Sequence, residues 1–227
     1  MYAEVRDLCA SLRTRDDVRV VVLRGSGGRA FAAGNEISDF LAEPDPEAYE
    51  EWIREMLQAL FELPQVTVAA VDGVCVGGGL AVATHCDLRI ATPHSRFGYP
   101  IAKTLGNALS APLVHRCAAV FGESITRQML LTARLVDAHR AYGVGALLEV
   151  TDDLDAAVDE LVAGLLPLSA TTQSTVKKQL LHAAAEREAA PEWDEEVLRA
   201  VYGGDDFREG VRAFLAKEKP AFTGRAR

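Results

Sequence analysis

The chain has 227 residues, with 24 basic against 33 acidic side chains, a net charge of −9, 49% apolar and 25% charged residues. Those values suit a globular chain long enough to bury a full core. They exclude disorder and disfavour a nonspecific nucleic-acid binder, which needs a basic face to displace counterions.

The first stretch places Tyr2, Val5, Leu8, Cys9 and Leu12 on one helical face. Residues 18–23 form a short β-branched run, which predicts a strand buried on both faces. A glycine-rich loop follows, then Phe31-Ala32-Ala33-Gly34. Between 46 and 63, Tyr49, Trp52, Ile53, Met56, Leu57, Leu60 and Phe61 recur at helical spacing, and Pro64 marks the end. Residues 66–71 read as a second buried strand closed by Asp72-Gly73. Val74-Cys75-Val76 then runs into Gly77-Gly78-Gly79 and a short helix over 80–85. Further strands are predicted at 87–91 and 143–150, with two or three short helices between 113 and 141, broken at Gly122 and near Val136-Asp137. The rest is helical, over 154–166, 174–188, 192–201 and 206–217. The pattern predicts an α/β domain with a helical C-terminal extension and no internal repeat.

No apolar run approaches the roughly 20 residues of a bilayer crossing, and MYAEVRDLCA lacks the basic-then-apolar order of a secretory signal. Cys9, Cys75, Cys86 and Cys117 form no CxxC pair, so reduced, mostly buried thiols in a cytoplasmic protein are expected. The five histidines lack ligand spacing, so no metal site is expected.

Two strand-to-helix junctions carry clustered glycines, around Gly34 and at 77–79. Glycine lets a ligand approach the main chain closely, and the free N–H groups of a helix start favour negative charge. Two such N–H groups converging on one point would form an oxyanion hole. Spacing alone leaves simple tight turns as the other reading. A dinucleotide fingerprint fails, because Val82 stands where glycine or alanine is needed and residues 101–105 hold no carboxylate.

Several stretches together resemble the crotonase (enoyl-CoA hydratase/isomerase) superfamily. They are residues 17–25, Ala30-Phe31-Ala32-Ala33-Gly34-Asn35-Glu36-Ile37, residues 68–73, Val76-Gly77-Gly78-Gly79-Leu80-Ala81 and His85-Cys86-Asp87-Leu88-Arg89-Ile90-Ala91. Arg96-Phe97-Gly98, residues 131–134, 208–215 and 217–225 continue the match in the expected order nearly end to end. The resemblance implies a crotonase-like spiral of ββα units over residues 1–165. Residues 166–227 would form a helical region for trimerisation and closure of the CoA site. It implies an acyl-CoA substrate, a homotrimer or dimer of trimers, and no cofactor beyond the coenzyme A carried by the substrate. The oxyanion N–H groups fall on Asn35 and Gly78. Ala32 and Ala33 would leave room for the CoA chain, and Arg29 and Lys219 are the cations for its phosphates, with ordinary solvated cations as the alternative.

The resemblance departs from the hydratases at two positions. Their paired glutamates, which activate water and protonate the α-carbon, fall here on Ala81 and Ile101. Asn107 in the following loop can orient a substrate or water but cannot act as a base, and a turn-forming asparagine is its alternative. Glu36, Asp39 and Asp137 read as surface or helix-cap carboxylates near the site, and His85 as a satisfied histidine at a helix end. Family members have about 25 to 30 residues before the Tyr2 helix, so an N-terminal hairpin is expected to be missing or to precede this start. The resulting expectation is an enzyme of the enoyl-CoA hydratase/isomerase kind, with isomerase-like or other enolate chemistry favoured over simple hydration. Its alternative is a catalytically silent CoA-binding or assembly subunit.

Overall fold

The computed structural model describes residues 2–34, 46–188 and 191–222. Helix α1 (Tyr2–Leu12) leads to β1 (Val20–Arg24) and β2 (Ala30–Ala32), and α2 (Pro46–Phe61) follows. The centre of the molecule comprises β3 (Val66–Val71), β4 (Val74–Val76), α3 (Gly78–His85), β5 (Leu88–Ala91), β6 (Arg96–Gly98) and a 3-10 turn at Pro100–Ala102. Then come α4 (Ala111–Phe121), α5 (Glu123–Thr132), β7 (Val136–Asp137), α6 (Ala138–Gly143) and β8 (Glu149–Val150). Helices α7 (Leu154–Leu165), α8 (Ala170–Glu188), α9 (Glu192–Tyr202) and α10 (Asp205–Ala216) complete the described chain.

The strands form two four-stranded sheets, ordered β1-β3-β5-β8 and β2-β4-β6-β7. Every neighbouring pair is parallel except β6 with β7. Consecutive strand pairs therefore add one strand to each sheet, which is the spiral of ββα units that the resemblance implied. The repeat lies in geometry alone, since no sequence period accompanies it.

The β-branched run at 18–23 does form a strand, but it sits at a sheet edge and is only half-buried. The doubly covered strand is β3, whose residues 67–71 are all buried. Leu8 departs from its predicted face as well: Cys9 is buried, but Leu8 is exposed along an open apolar groove beside β1. The predicted strand over 143–150 shrinks to Glu149–Val150. Asp137 is the reason: its carboxylate accepts from the Arg140 N–H at 2.9 Å and caps α6, whose chain continues through Gly143. The Ala146 N–H then bonds back to the Ala141 carbonyl at 3.0 Å.

The core joins Met56, Leu57 and Leu60 of α2 to Leu80 of α3, and Phe97 packs on Phe121 with ring centroids 5.9 Å apart. All four cysteines are buried and unbridged. Burial holds the Cys86 and Cys117 thiols up at about 12 and about 11, so they stay protonated and inert. The helical C-terminal region is anchored by Lys177 of α8, whose Nζ donates to Asp87 Oδ2 at 2.7 Å and to the Gln65 carbonyl at 2.9 Å. Among the described residues no helix is long and apolar enough to cross a membrane, and no group of side chains could hold a metal ion.

Candidate active site

Residues 76–81 turn from β4 into α3, and the turn depends on glycine. Gly77 caps α3 at φ 56° and ψ −127°, a backbone state that side chains disfavour. A Cβ on Gly79 would lie 2.3 Å from the Ala32 carbonyl oxygen, so the helix can seat against β2 only without one. Helix α3 is apolar on every side up to Thr84 and His85 at its end, and residues 79–85 are all buried, as expected of a helix enclosed by the core. Gly78 is its first residue, so its N–H belongs to the first turn and has no acceptor within the helix.

The two glycine junctions, far apart in sequence, meet in space. A Cβ on Gly77 would stand 3.4 Å from the Gly34 Cα. Around this meeting point lies a cleft of about 190 Å³, partly open to solvent. Its lining includes Ala33, Gly34, Gly78, Ala81, Ile101 and Asn107, closed by Phe214 from α10. The Asn107 Oδ1 is buried and has no hydrogen-bond partner among the described residues. The loop that carries Asn107 is pinned by α10, where Gly210 comes so near that a Cβ would meet the Leu105 carbonyl oxygen at 2.2 Å.

Of the residues singled out from sequence, the fold thus gathers Ala33, Gly78 and Asn107 into one cleft. Ala32 lies behind it, with its backbone against Gly79 and its side in the apolar groove beside β1. Arg29 and Lys219 are exposed and line none of the cleft. Asn35, Glu36 and Asp39 lie outside the described residues. His85 is buried at the end of α3, and its Nδ1 faces the Ala81 carbonyl at 2.7 Å. A carbonyl only accepts, so Nδ1 holds the proton. Burial, with Arg116 nearby, pushes the His85 pKa down to about 4, so the ring is neutral at physiological pH.

One pair of residues in the cleft escaped the sequence reading. Glu50 of α2 and Tyr202 of α9 both line it, and the Tyr202 hydroxyl donates to Glu50 Oε1 at 2.5 Å. Burial raises the Glu50 pKa above the ordinary carboxylate value; the tyrosine bond lowers it, the Asp194 charge raises it, and Arg54 lowers it. The signal lay in the α2 stripe. Glu50 precedes Ile53 by three residues and Leu57 by seven, so it shares their inward face.

A family model described as enoyl-CoA hydratase/isomerase matches residues 1–225. The chain is 28% identical over 230 residues to an (E)-benzylidenesuccinyl-CoA hydratase of Thauera aromatica, covering 98% of this chain and 88% of the relative. It is also 28% identical, over 234 residues, to a 1,2-epoxyphenylacetyl-CoA isomerase of Escherichia coli (strain K12), covering 99% and 88%. A solved methylmalonyl-CoA decarboxylase in complex with 2-nitronate-propionyl-CoA superposes with a TM-score of 0.89 at 26% identity, covering 99% of this chain and 88% of that one. These relatives are a hydratase, an isomerase and a decarboxylase, each acting on a CoA thioester by name.

Proposed function

The chain belongs to the enoyl-CoA hydratase/isomerase family, and from that premise we propose that it is an acyl-CoA enzyme that forms a thioester enolate in the cleft at Gly78. The observation that carries this reading is Gly78, which opens a helix buried over residues 79–85 and lines the same cleft as Ala33 and Asn107. A thioester oxygen placed there would gain charge as the α-proton leaves, and a fixed N–H stabilises that charge more than it does the neutral carbonyl. The Asn35 N–H would supply the second donor. Arg29 and Lys219, exposed outside the cleft, would meet the CoA phosphates, and coenzyme A would enter as part of the substrate.

Ala81 and Ile101 line the same cleft. Neither side chain can carry a proton, which favours a proton shift such as double-bond isomerisation over addition of water. In this reading the protein is cytoplasmic and assembles as a homotrimer or dimer of trimers. Exposed Leu180, Trp193 and Leu215 on the C-terminal helices suit such contacts. Ala81 and Ile101 also favour a second reading, a silent CoA-binding or assembly subunit.

Steady-state assays with 3-enoyl-CoA and 2-enoyl-CoA separate the two. Turnover of the 3-enoyl thioester with little hydration of the 2-enoyl thioester is the expected result. CoA-dependent thermal stabilisation without turnover of either would leave only the silent subunit. Absence of any stabilisation would count against both.

A further inference from the structure

We propose that Glu50, held by Tyr202, is the group that moves the substrate proton in this cleft; the assignment rests on the enolate reading above. The geometry supplies three reasons. First, Glu50 shares the cleft with Gly78, so one substrate can reach the N–H at its carbonyl oxygen and the carboxylate at its carbon chain. Second, Ala81 and Ile101 cannot transfer a proton in that cleft, whereas Glu50 presents a carboxyl group that can. Third, the carboxylate is held in place. The Tyr202 hydroxyl fixes Oε1, Tyr202 itself is buried, and its ring packs edge-on against Phe207 with centroids 4.9 Å apart.

Helix α9 is fixed in turn. Both oxygens of buried Asp194 accept from the Ala111 N–H, at 2.9 and 3.0 Å, tying α9 to the start of α4. Among the described residues, the titratable or charged groups that share a pocket with Glu50 or act on it are Tyr99, Tyr202, Asp194, Arg54 and His85. Tyr202 and Asp194 approach from α9, Arg54 belongs to the same helix, and neutral His85 of α3 shares a second pocket with Glu50. That pocket is lined also by Arg54, Gln58 and Ser110.

The step balances with one carboxylate. Glu50 removes a proton from C2 of a 3-enoyl thioester. The C–H electron pair becomes the new C1–C2 double bond, and the carbonyl pair moves onto the oxygen beside the Gly78 N–H. Protonated Glu50 then returns the proton to C4. The dienolate electrons close as C2=C3 and the carbonyl re-forms, with no net change in atoms or electrons. A carboxylate whose pKa is raised by burial is a better base for this transfer than an ordinary one.

The test follows solvent deuterium at C2 and C4 of 3-enoyl-CoA by mass spectrometry, beside acyl-CoA affinity by calorimetry. Wild-type protein is expected to exchange. Glu50→Gln should lose about 10²- to 10⁴-fold in exchange rate while binding acyl-CoA as before. Tyr202→Phe removes the bond that favours the carboxylate, so the acidic limb of its rate profile should move to higher pH, a change that loss of packing alone would not produce. An exchanging wild type beside a Glu50→Gln variant that keeps more than a tenth of that rate overturns the assignment and leaves the enolate reading standing. A wild type that binds acyl-CoA without exchange overturns both. Matching circular dichroism of the variants, with Glu50→Asp retaining part of the rate, shows that loss of folding is not the cause.

Discussion

The wall that residues 76–81 give the cleft is a sheet-to-helix junction whose Gly78 N–H has no acceptor within its helix, and it carries no titratable side chain. The wall given by α2 and α9 holds a carboxylate and a phenol bonded to each other across 152 positions of sequence. The first offers a fixed dipole, which can stabilise charge but cannot accept a proton. The second offers a titratable pair, which can move a proton but is only as well placed as the two helices that bring it together. Dividing the labour in this way lets the chemistry of the cleft change by substitution on the helices while the charge-stabilising junction stays intact.

The comparison can be broken most severely at Gly79. A valine there drives its Cβ to within 2.3 Å of a backbone oxygen and 2.7 Å of the Ala32 Cβ. Neither backbone can retreat without moving the buried helix α3 or strand β2, so Gly79→Val should cost at least about 4 kcal/mol and yield little soluble protein. Recovery of a wild-type melting temperature would contradict the close approach of α3 to β2. Gly78→Pro is gentler, because proline suits the first turn of a helix while removing the N–H. In a folded variant it should lower turnover about 10²- to 10³-fold with little change in acyl-CoA affinity. Unchanged turnover would remove the dipole from the mechanism.

A smaller effect sharpens the picture of His85, which belongs to α3 but faces the pocket behind Glu50. Its pKa falls from 6.5 in the unfolded chain to about 4 when folded. The unfolded chain therefore binds more protons between those values, and stability falls as pH drops from about 6.5 through 4. The loss amounts to on the order of 3 kcal/mol. Urea unfolding at pH 7 and pH 4 should show His85→Gln losing less stability than wild type across that interval. An equal loss in both proteins would mean that the ring is not held neutral.

The same division explains what the sequence disclosed. Strand β3, helix α3 and the glycine junction are specified by neighbouring residues, so composition and spacing reveal them. Asp137 was readable as a cap for the same reason, since its partner is the N–H of Arg140 three residues on. Edge and centre were not readable in this way. Residues 18–23 and 66–71 are similar apolar runs, yet only the order β1-β3-β5-β8 makes one half-buried and the other enclosed. Glu50 was hidden for a deeper reason. On α2 it is one polar residue in an apolar stripe, and it becomes a site only when Tyr202 arrives from the C-terminal helices. Asn107 stands between these cases. Its loop was visible, but the buried oxygen at its tip, without a hydrogen-bond partner among the described residues, depends on the packing of α10 against that loop.

The most direct test is a crystal structure of the full chain with a non-hydrolysable acyl-CoA. The thioester oxygen should lie about 2.7–3.1 Å from the Gly78 nitrogen, with the Glu50 carboxylate about 3–3.5 Å from C2, the carbon next to the carbonyl carbon. An acyl group seated elsewhere, or one whose carbonyl points away from Gly78, would contradict the account.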